Sequence, residues 1–292
     1  MRPSTLDAIV AGGLDPNDVI RVIQTALAED LGPDRVDVTS QATIPAEQTD
    51  TADLVARADG VVAGIAVAGA VFEVAEPRAV ATPVAADGAA VIRGQVLATV
   101  TGPTRGLLTA ERTALNLLSR LSGVATHTRA WVAALAGTRA RVLDTRKTTP
   151  GLRALEKYAV RVGGGGNKRM GLYDVAMVKD NHARAAGGVV PALRRVRAAC
   201  PDLPVQVEVS SVAEAAAAVQ AGATFLLCDN LSPAELRRVV AAVAGRAELE
   251  ATGNLTLPRA REYAGTGVDY LSVGALTHSS PILDVAMDLR GR

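Results

Sequence analysis

Short apolar runs and helical patterns alternate on a regular beat through the second half of the chain. The runs fall at 141–143, 175–178, 204–209, 224–228, 247–250 and 269–273, and between them lie amphipathic stretches such as SVAEAAAAVQAG, SPAELRRVVAAVAG and TLPRAREYAG. Gly222, Gly245 and Gly265 stand where those helices should stop. Repeated strand–helix units of this kind predict a parallel sheet covered by helices, with six strands and a suspected seventh. A closed β/α barrel and a doubly wound open sheet both fit the beat. The residues that follow each apolar run favour the barrel, because polar or glycine residues recur at every strand end: Arg146 and Lys147, Lys179 with Asn181 and His182, Glu208, Asp229 and Asn230, Thr252-Gly253, and Gly274-Ala275.

The first half has a different texture. Val19, Ile20, Val22, Ile23, Ala26 and Leu27 repeat at helical spacing behind Asp15 as N-cap and Pro16 at the first helical position, so residues 15–30 are predicted as an amphipathic helix. The polar segment EDLGPDRVDVTSQATIP reads as a loop, with Asp37-Val38-Thr39 a simple turn. From Thr51 to Gly102 short β-branched runs are cut by Gly and Pro, Asp59-Gly60 and Asp87-Gly88 carry hairpin signals, and some helix is expected near 67–74. Two helices follow, one from Thr109 as N-cap to Ser122-Gly123 and one from Val124 to Ala136 with the single Trp131. In that reading Arg112 lies in a first helical turn, where positive charge opposes the dipole; it is either a solvated residue or one with a functional reason to be there. The predicted organisation is α/β, with an N-terminal α/β domain over 1–122 and a β/α barrel over 123–292, whose C-terminal helix packs back on the first.

Composition narrows the function. Of the 292 residues 49% are apolar, 21% charged and 2% aromatic, and the net charge is +1. Aromatic platforms for single-stranded nucleic acid are therefore scarce, and the broad basic footprint of a duplex binder is missing. No run of 18 apolar residues occurs, and the N-terminus lacks an apolar signal core, so a cytoplasmic, unanchored protein without nucleic-acid or membrane partners is expected. Cys200 and Cys228 have no metal-ligand spacing and are expected to be buried and reduced.

The charge is unevenly spread. Between Arg139 and Arg184 stand eleven Lys or Arg against four Asp or Glu, a local +7, so the remainder carries −6. Such a field suits an anionic ligand. Arg146 and Arg169 are placed to clamp carboxylates, while backbone N–H groups at Thr252-Gly253 and Gly274-Ala275, ahead of predicted helices, suit a phosphate. Glu208 and Asp229 suit a divalent cation, ribose hydroxyls or developing positive charge. Gly163 to Gly166 is followed by Asn-Lys-Arg and is no P-loop; it reads either as a flexible loop delivering Lys168 and Arg169 or as a plain glycine turn. Lys147 or Lys179 could also serve a Schiff-base aldolase. With His127, His182 and His278 alone, neither a hydrolase triad nor a His-rich metal site is apparent.

These motifs resemble the quinolinate phosphoribosyltransferase family. The resemblance runs from about Ala28 to the end through EDLG with DVT, TAERTALNLLSRLSGVAT, LDTRKTTPGLRALEKYAV, GGGGN with RMGLYD, VKDNH, VEV, LCDN and VGALTHS. It implies an incomplete β/α barrel of about seven strands behind an open α/β domain, and a homodimer in which Arg112 is donated across the interface. It further implies that Arg146, Lys147, Lys168, Arg169 and Lys179 surround quinolinate and the phosphates. Glu208 and Asp229 would face the ribose and Mg²⁺, with Lys147 beside them in catalysis, and Thr252, Gly253, Gly274, Ala275 and His278 would hold the 5′-phosphate. The implied reaction joins quinolinate and phosphoribosyl pyrophosphate to give nicotinate mononucleotide, pyrophosphate and CO2, in NAD biosynthesis. Two positions depart from the family pattern: Asn167-Lys168-Arg169 replaces Asn-His-Arg, and Thr252-Gly253-Asn254 replaces Ser-Gly-Gly. They leave open a paralogue acting on another carboxylated heterocycle, and a silent nucleotide-binding protein is the reading from outside the enzymes.

Overall fold

The computed structural model describes residues 1–291. In chain order it begins with α1 (Pro3–Ala11), α2 (Pro16–Leu31) and α3 (Val38–Thr43), followed by β1 (Thr49–Ala56), β2 (Gly60–Val61), α4 (Ile65–Ala75), β3 (Val80–Pro83), β4 (Ala90–Val91), β5 (Val96–Pro103) and α5 (Thr104–Ala134). The alternating half follows as β6 (Arg141–Leu143), α6 (Arg153–Val162), β7 (Ala176–Val178), α7 (Asp180–Ala186), α8 (Val189–Ala199), β8 (Val205–Val209), α9 (Val212–Gln220), β9 (Phe225–Asp229), α10 (Pro233–Val243) and β10 (Glu248–Thr252). A 3₁₀ turn (Leu257–Arg259), α11 (Ala260–Ala264), β11 (Tyr270–Ser272), α12 (Ala275–His278) and β12 (Val285–Leu289) complete it. Among the described residues no helix is long and apolar enough to cross a membrane.

Two compact units result. The first comprises residues 1–129, 148–164 and 279–292 and the second residues 130–147 and 165–278. In the first, an antiparallel sheet ordered β12-β1-β5-β3 is backed by α4, whose Val67, Ala68, Val71 and Phe72 are fully enclosed. The expected α2 is present, with the Asp15 carboxylate accepting from Asn17 N at its N-cap.

Several expectations for this half are corrected. The supposed loop at 38–43 is helical, because the Asp37 side chain accepts from Ser40 N and Ser40 Oγ and so caps it. Asp87-Gly88 closes no hairpin: β4 pairs with β2, and the Asp87 carboxylate accepts instead from Gly64 N and Ile65 N at the start of α4. The two helices expected after Thr109 are one, since Gly123 does not break α5. A side chain at Gly123 would meet the carbonyl oxygen of Pro281 at 2.1 Å, so that glycine marks a close backbone approach. Arg112 therefore sits in the third turn of α5, not the first, and the dipole argument for it lapses. The expected C-terminal helix is a strand, β12, paired antiparallel to β1 from Ala52↔Leu289 to Ala56↔Val285.

The second unit holds six parallel strands ordered β6-β11-β10-β9-β8-β7. The suspected seventh is a single bridge, Leu143↔Gly166, so the barrel is incomplete between β6 and β7. The predicted caps are present: Ser211 accepts from Glu214 N, Ser232 and Glu235 form a capping box, and Gly222 adopts a positive φ behind α9. Cys228 is buried as expected, its thiol pushed up to about 12 by desolvation, but Cys200 is exposed, ending α8 on its polar side.

Candidate active site

Strand alternation in the second unit builds the site in layers. Met177 on β7, Glu208 on β8, Leu227 and Asp229 on β9, Thr252 on β10 and Ser272 on β11 share the inward face. With the loops beyond the strand ends they line a cavity of about 630 Å³ that also receives Thr145, Arg146, Lys147, Lys168, Arg169, Lys179, Gly253, Gly274, Ala275 and His278. Every residue that the family resemblance assigns to the site is thus brought to one cavity except Arg112, which lies exposed on α5 in the first unit. Asn181 and His182 do not line it; the His182 ring accepts from Lys179 N and closes the first turn of α7.

The corner after β10 is made rigid by its neighbours. Asn230 N donates to Thr252 O at 3.0 Å, Asn254 Nδ2 donates to Asn230 Oδ1 at 3.3 Å, and Asn230 Nδ2 donates to Asp229 Oδ2 at 2.9 Å. Gly253 at φ +94° has no room for a side chain, which would meet Asn230 Oδ1 at 2.2 Å. Asn254 thus has a local task that a glycine could not perform. As expected, both corners lie ahead of helices: Thr252-Gly253 is followed, after residues 254–256, by the 3₁₀ turn and α11, and Gly274 opens directly into α12. Thr277 Oγ1 donates to Lys147 O at 2.8 Å, tying the loop after β6 to that turn.

Two carboxylates that the residue pattern did not single out organise the cationic wall. Asp144, buried at the end of β6, accepts from Asn167 Nδ2 at 2.7 Å and Lys168 N at 2.8 Å, which fixes the segment bearing Lys168 and Arg169. Glu250 on β10 is fully buried and accepts from Lys168 Nζ at 2.5 Å. Its signal was available in the sequence, since Glu250 is in phase with Thr252 along a strand, but a glutamate inside an apolar run reads as an outward-facing residue. Burial pushes the Lys168 ammonium down and the Glu250 carboxyl up, each restrained by the other. Desolvation, then the neighbouring Arg146, lowers Arg169. Arg146 Nε is buried without a partner, and Arg169 Nη1 donates to Val175 O at 3.0 Å.

Chemically, five cationic side chains and two carboxylates face one cavity. That set suits a ligand with several anionic groups and a centre that turns positive during reaction. Among the described residues no cluster of three or more His, Cys, Asp or Glu could hold a metal alone. Glu208 and Asp229 supply the two carboxylates with which Mg²⁺ is commonly held beside substrate phosphates.

Known proteins match this chain over most of its length. The model of the quinolinate phosphoribosyl transferase N-terminal domain matches residues 37–122, and that of the C-terminal domain residues 124–288. The nicotinate-nucleotide pyrophosphorylase [carboxylating] of Mycobacterium leprae is 51% identical, covering 91% of this chain and 95% of that protein. A probable enzyme of the same name from Bacillus subtilis is 41% identical over 89% and 90%. The solved structure of NadC from Streptococcus pyogenes superposes with a TM-score of 0.90 at 38% identity, covering 95% of this chain and 97% of that one.

Proposed function

The chain belongs to the quinolinate phosphoribosyltransferase family, and from that premise we propose that its cavity carries out phosphoribosyl transfer to quinolinate with decarboxylation. Phosphoribosyl pyrophosphate is the donor, and the products are nicotinate mononucleotide, pyrophosphate and CO2, a step of NAD biosynthesis. The observation that carries this reading is the convergence of Arg146, Lys147, Lys168, Arg169 and Lys179 with Glu208 and Asp229 on one cavity at the strand ends.

In this reading Arg146, Arg169 and Lys168 receive the two carboxylates of quinolinate, and the Gly274-Ala275 and Thr252-Gly253 corners with His278 receive the 5′-phosphate. Lys147 and Lys179 face the pyrophosphate. As pyrophosphate leaves C1 of the ribose the sugar becomes oxocarbenium-like, and the Glu208 and Asp229 carboxylates stabilise that charge. The pyridine nitrogen then bonds to C1, the ring becomes cationic, and the C2 carboxylate departs as CO2; its electron pair stays on C2, beside the cationic nitrogen, and takes up a proton from solvent to give nicotinate mononucleotide. No covalent enzyme intermediate is needed. Glu208 and Asp229 would hold Mg²⁺ that arrives with the donor, and that ion would supply electrostatic stabilisation of the leaving pyrophosphate.

We further place the working unit as a homodimer whose exposed Arg112 completes the partner's site, and its setting as the cytoplasm, where the free Cys200 and Cys228 stay reduced. A second reading, a paralogue using another carboxylated heterocycle, draws on Lys168 standing where the family usually has histidine. Turnover decides between them: the protein is given phosphoribosyl pyrophosphate and Mg²⁺ with quinolinate, and nicotinate in parallel. Product with quinolinate alone supports the first reading, and silence with both from a folded protein supports the second.

A further inference from the structure

Lys168 lines the cavity, and Glu250, two residues before Thr252 on β10, is paired with it from behind the lining, with the two side chains 8% and 0% exposed. The reaction as assigned above uses the lysine and leaves Glu250 without a role. A lone carboxylate on an inward strand position is costly to bury, so a partner is required on physical grounds. Lys168 is the one ion-pair partner of Glu250 among the described residues. Glu250 Oε2 has no hydrogen-bond partner, and Ser272 Oγ, close enough to bias the carboxyl toward its charged form, is also without a bond of normal geometry. The carboxylate is therefore committed to one strong contact.

We infer that Glu250 is a positioning residue: it fixes the Lys168 ammonium at the cavity wall and keeps it charged there, so that the acceptor carboxylate meets a held cation rather than a mobile or neutral amine. This rests on the reading of the cavity as the quinolinate site. The charged and titratable groups about the pair are Asp144 at the end of β6, Arg169 on the same segment, Lys179 beyond β7, and Cys228 on β9, with Ser272 on β11 as the neutral neighbour. Arg169 and Lys179 both oppose a charged Lys168. Burial opposes it further, which leaves Glu250 as the group that favours the ammonium. Lys168 N is held separately by Asp144, so the backbone stays placed when Glu250 is changed and the side chain alone is released.

The test is Glu250→Gln in the full chain. Removal of one partner from a charge-assisted hydrogen bond predicts a fall in kcat/KM for quinolinate of about tenfold to a hundredfold. Equilibrium binding of phosphoribosyl pyrophosphate should stay within about twofold, because its assigned contacts are other residues of the cavity. Without its counter-charge Lys168 loses its proton at lower pH, so the alkaline limb of kcat/KM should move to lower pH. Should the single variant fail to fold, Lys168→Met with Glu250→Gln removes both charges; it should fold and lack the Lys168-dependent alkaline limb. Reductive methylation of lysines across a pH series, read by mass spectrometry, follows Lys168 without any substrate. Methylation of Lys168 at lower pH in Glu250→Gln than in the natural protein is expected, even if quinolinate proves to be the wrong acceptor. Wild-type kinetics, or a fall in activity with an unmoved pH limb and unchanged Lys168 labelling, would overturn the inference.

Discussion

At the scale of single residues, the site depends on carboxylates that do opposite work. Glu208 and Asp229 line the cavity, whereas Glu250 and Asp144 are buried behind cations and amides and serve to place them. Glu208→Ala and Asp229→Ala are each expected to lower kcat by about 10²- to 10³-fold, since each removes a group aimed at charge that develops in the transition state. Steady-state kinetics with the fold verified by circular dichroism checks this, and near-normal turnover would remove the residue from its role. Asp229 was legible because it follows the apolar run at 224–228, and Glu208 because it sits in the VEV motif that carries the family resemblance. Glu250 was not, because glutamate within a strand-length run carries no mark of which face it takes, and its meaning depends on a lysine 82 positions earlier.

Among elements, α3 shows how a short polar segment is made to fold. Asp37 accepts from Ser40 N at 3.0 Å and Ser40 Oγ at 2.5 Å, and Thr109 Oγ1 donates to it at 3.2 Å, so the cap also ties α3 to α5. These bonds, led by that of the Ser40 hydroxyl, hold the Asp37 carboxyl below its ordinary range. A depressed folded pKa contributes stability that is present above the unfolded value of about 3.9 and is lost as pH falls through the folded one. Asp37→Ala should cost about 1 kcal/mol near neutrality, with the gap narrowing as pH falls below about 4. Urea melts at pH 7 and pH 3 measure it, and an equal gap at both would exclude the ionised cap as the cause. The alternating half was readable from its beat of apolar runs and helix stops. The first half was not: in α3 a side-chain cap outweighed the turn chemistry of its residues, and in α5 Gly123 answers to the 281–282 backbone rather than to helix propensity.

For the molecule as a whole, eight of the eleven cations between Arg139 and Arg184 belong to the barrel unit, where five of them meet in one cavity while the net charge of the chain stays at +1. Arg112, exposed and carried by the other unit, is the residue whose proposed role requires a second copy. If it is donated across a dimer, Arg112→Ala and Asp229→Ala chains that are each nearly inactive should regain roughly a quarter of wild-type activity when refolded together in equal amounts, because half the dimers then hold one intact site. No recovery from a mixed dimer would place Arg112 in its own chain's site or in none.

Coupling of phosphoribosyl transfer to loss of a carboxylate in one cavity is tested by following pyrophosphate and CO2 together from phosphoribosyl pyrophosphate, Mg²⁺ and quinolinate. Both should appear in equal amounts, with neither released when nicotinate is the acceptor. Pyrophosphate without CO2, or release that does not depend on quinolinate, would contradict it.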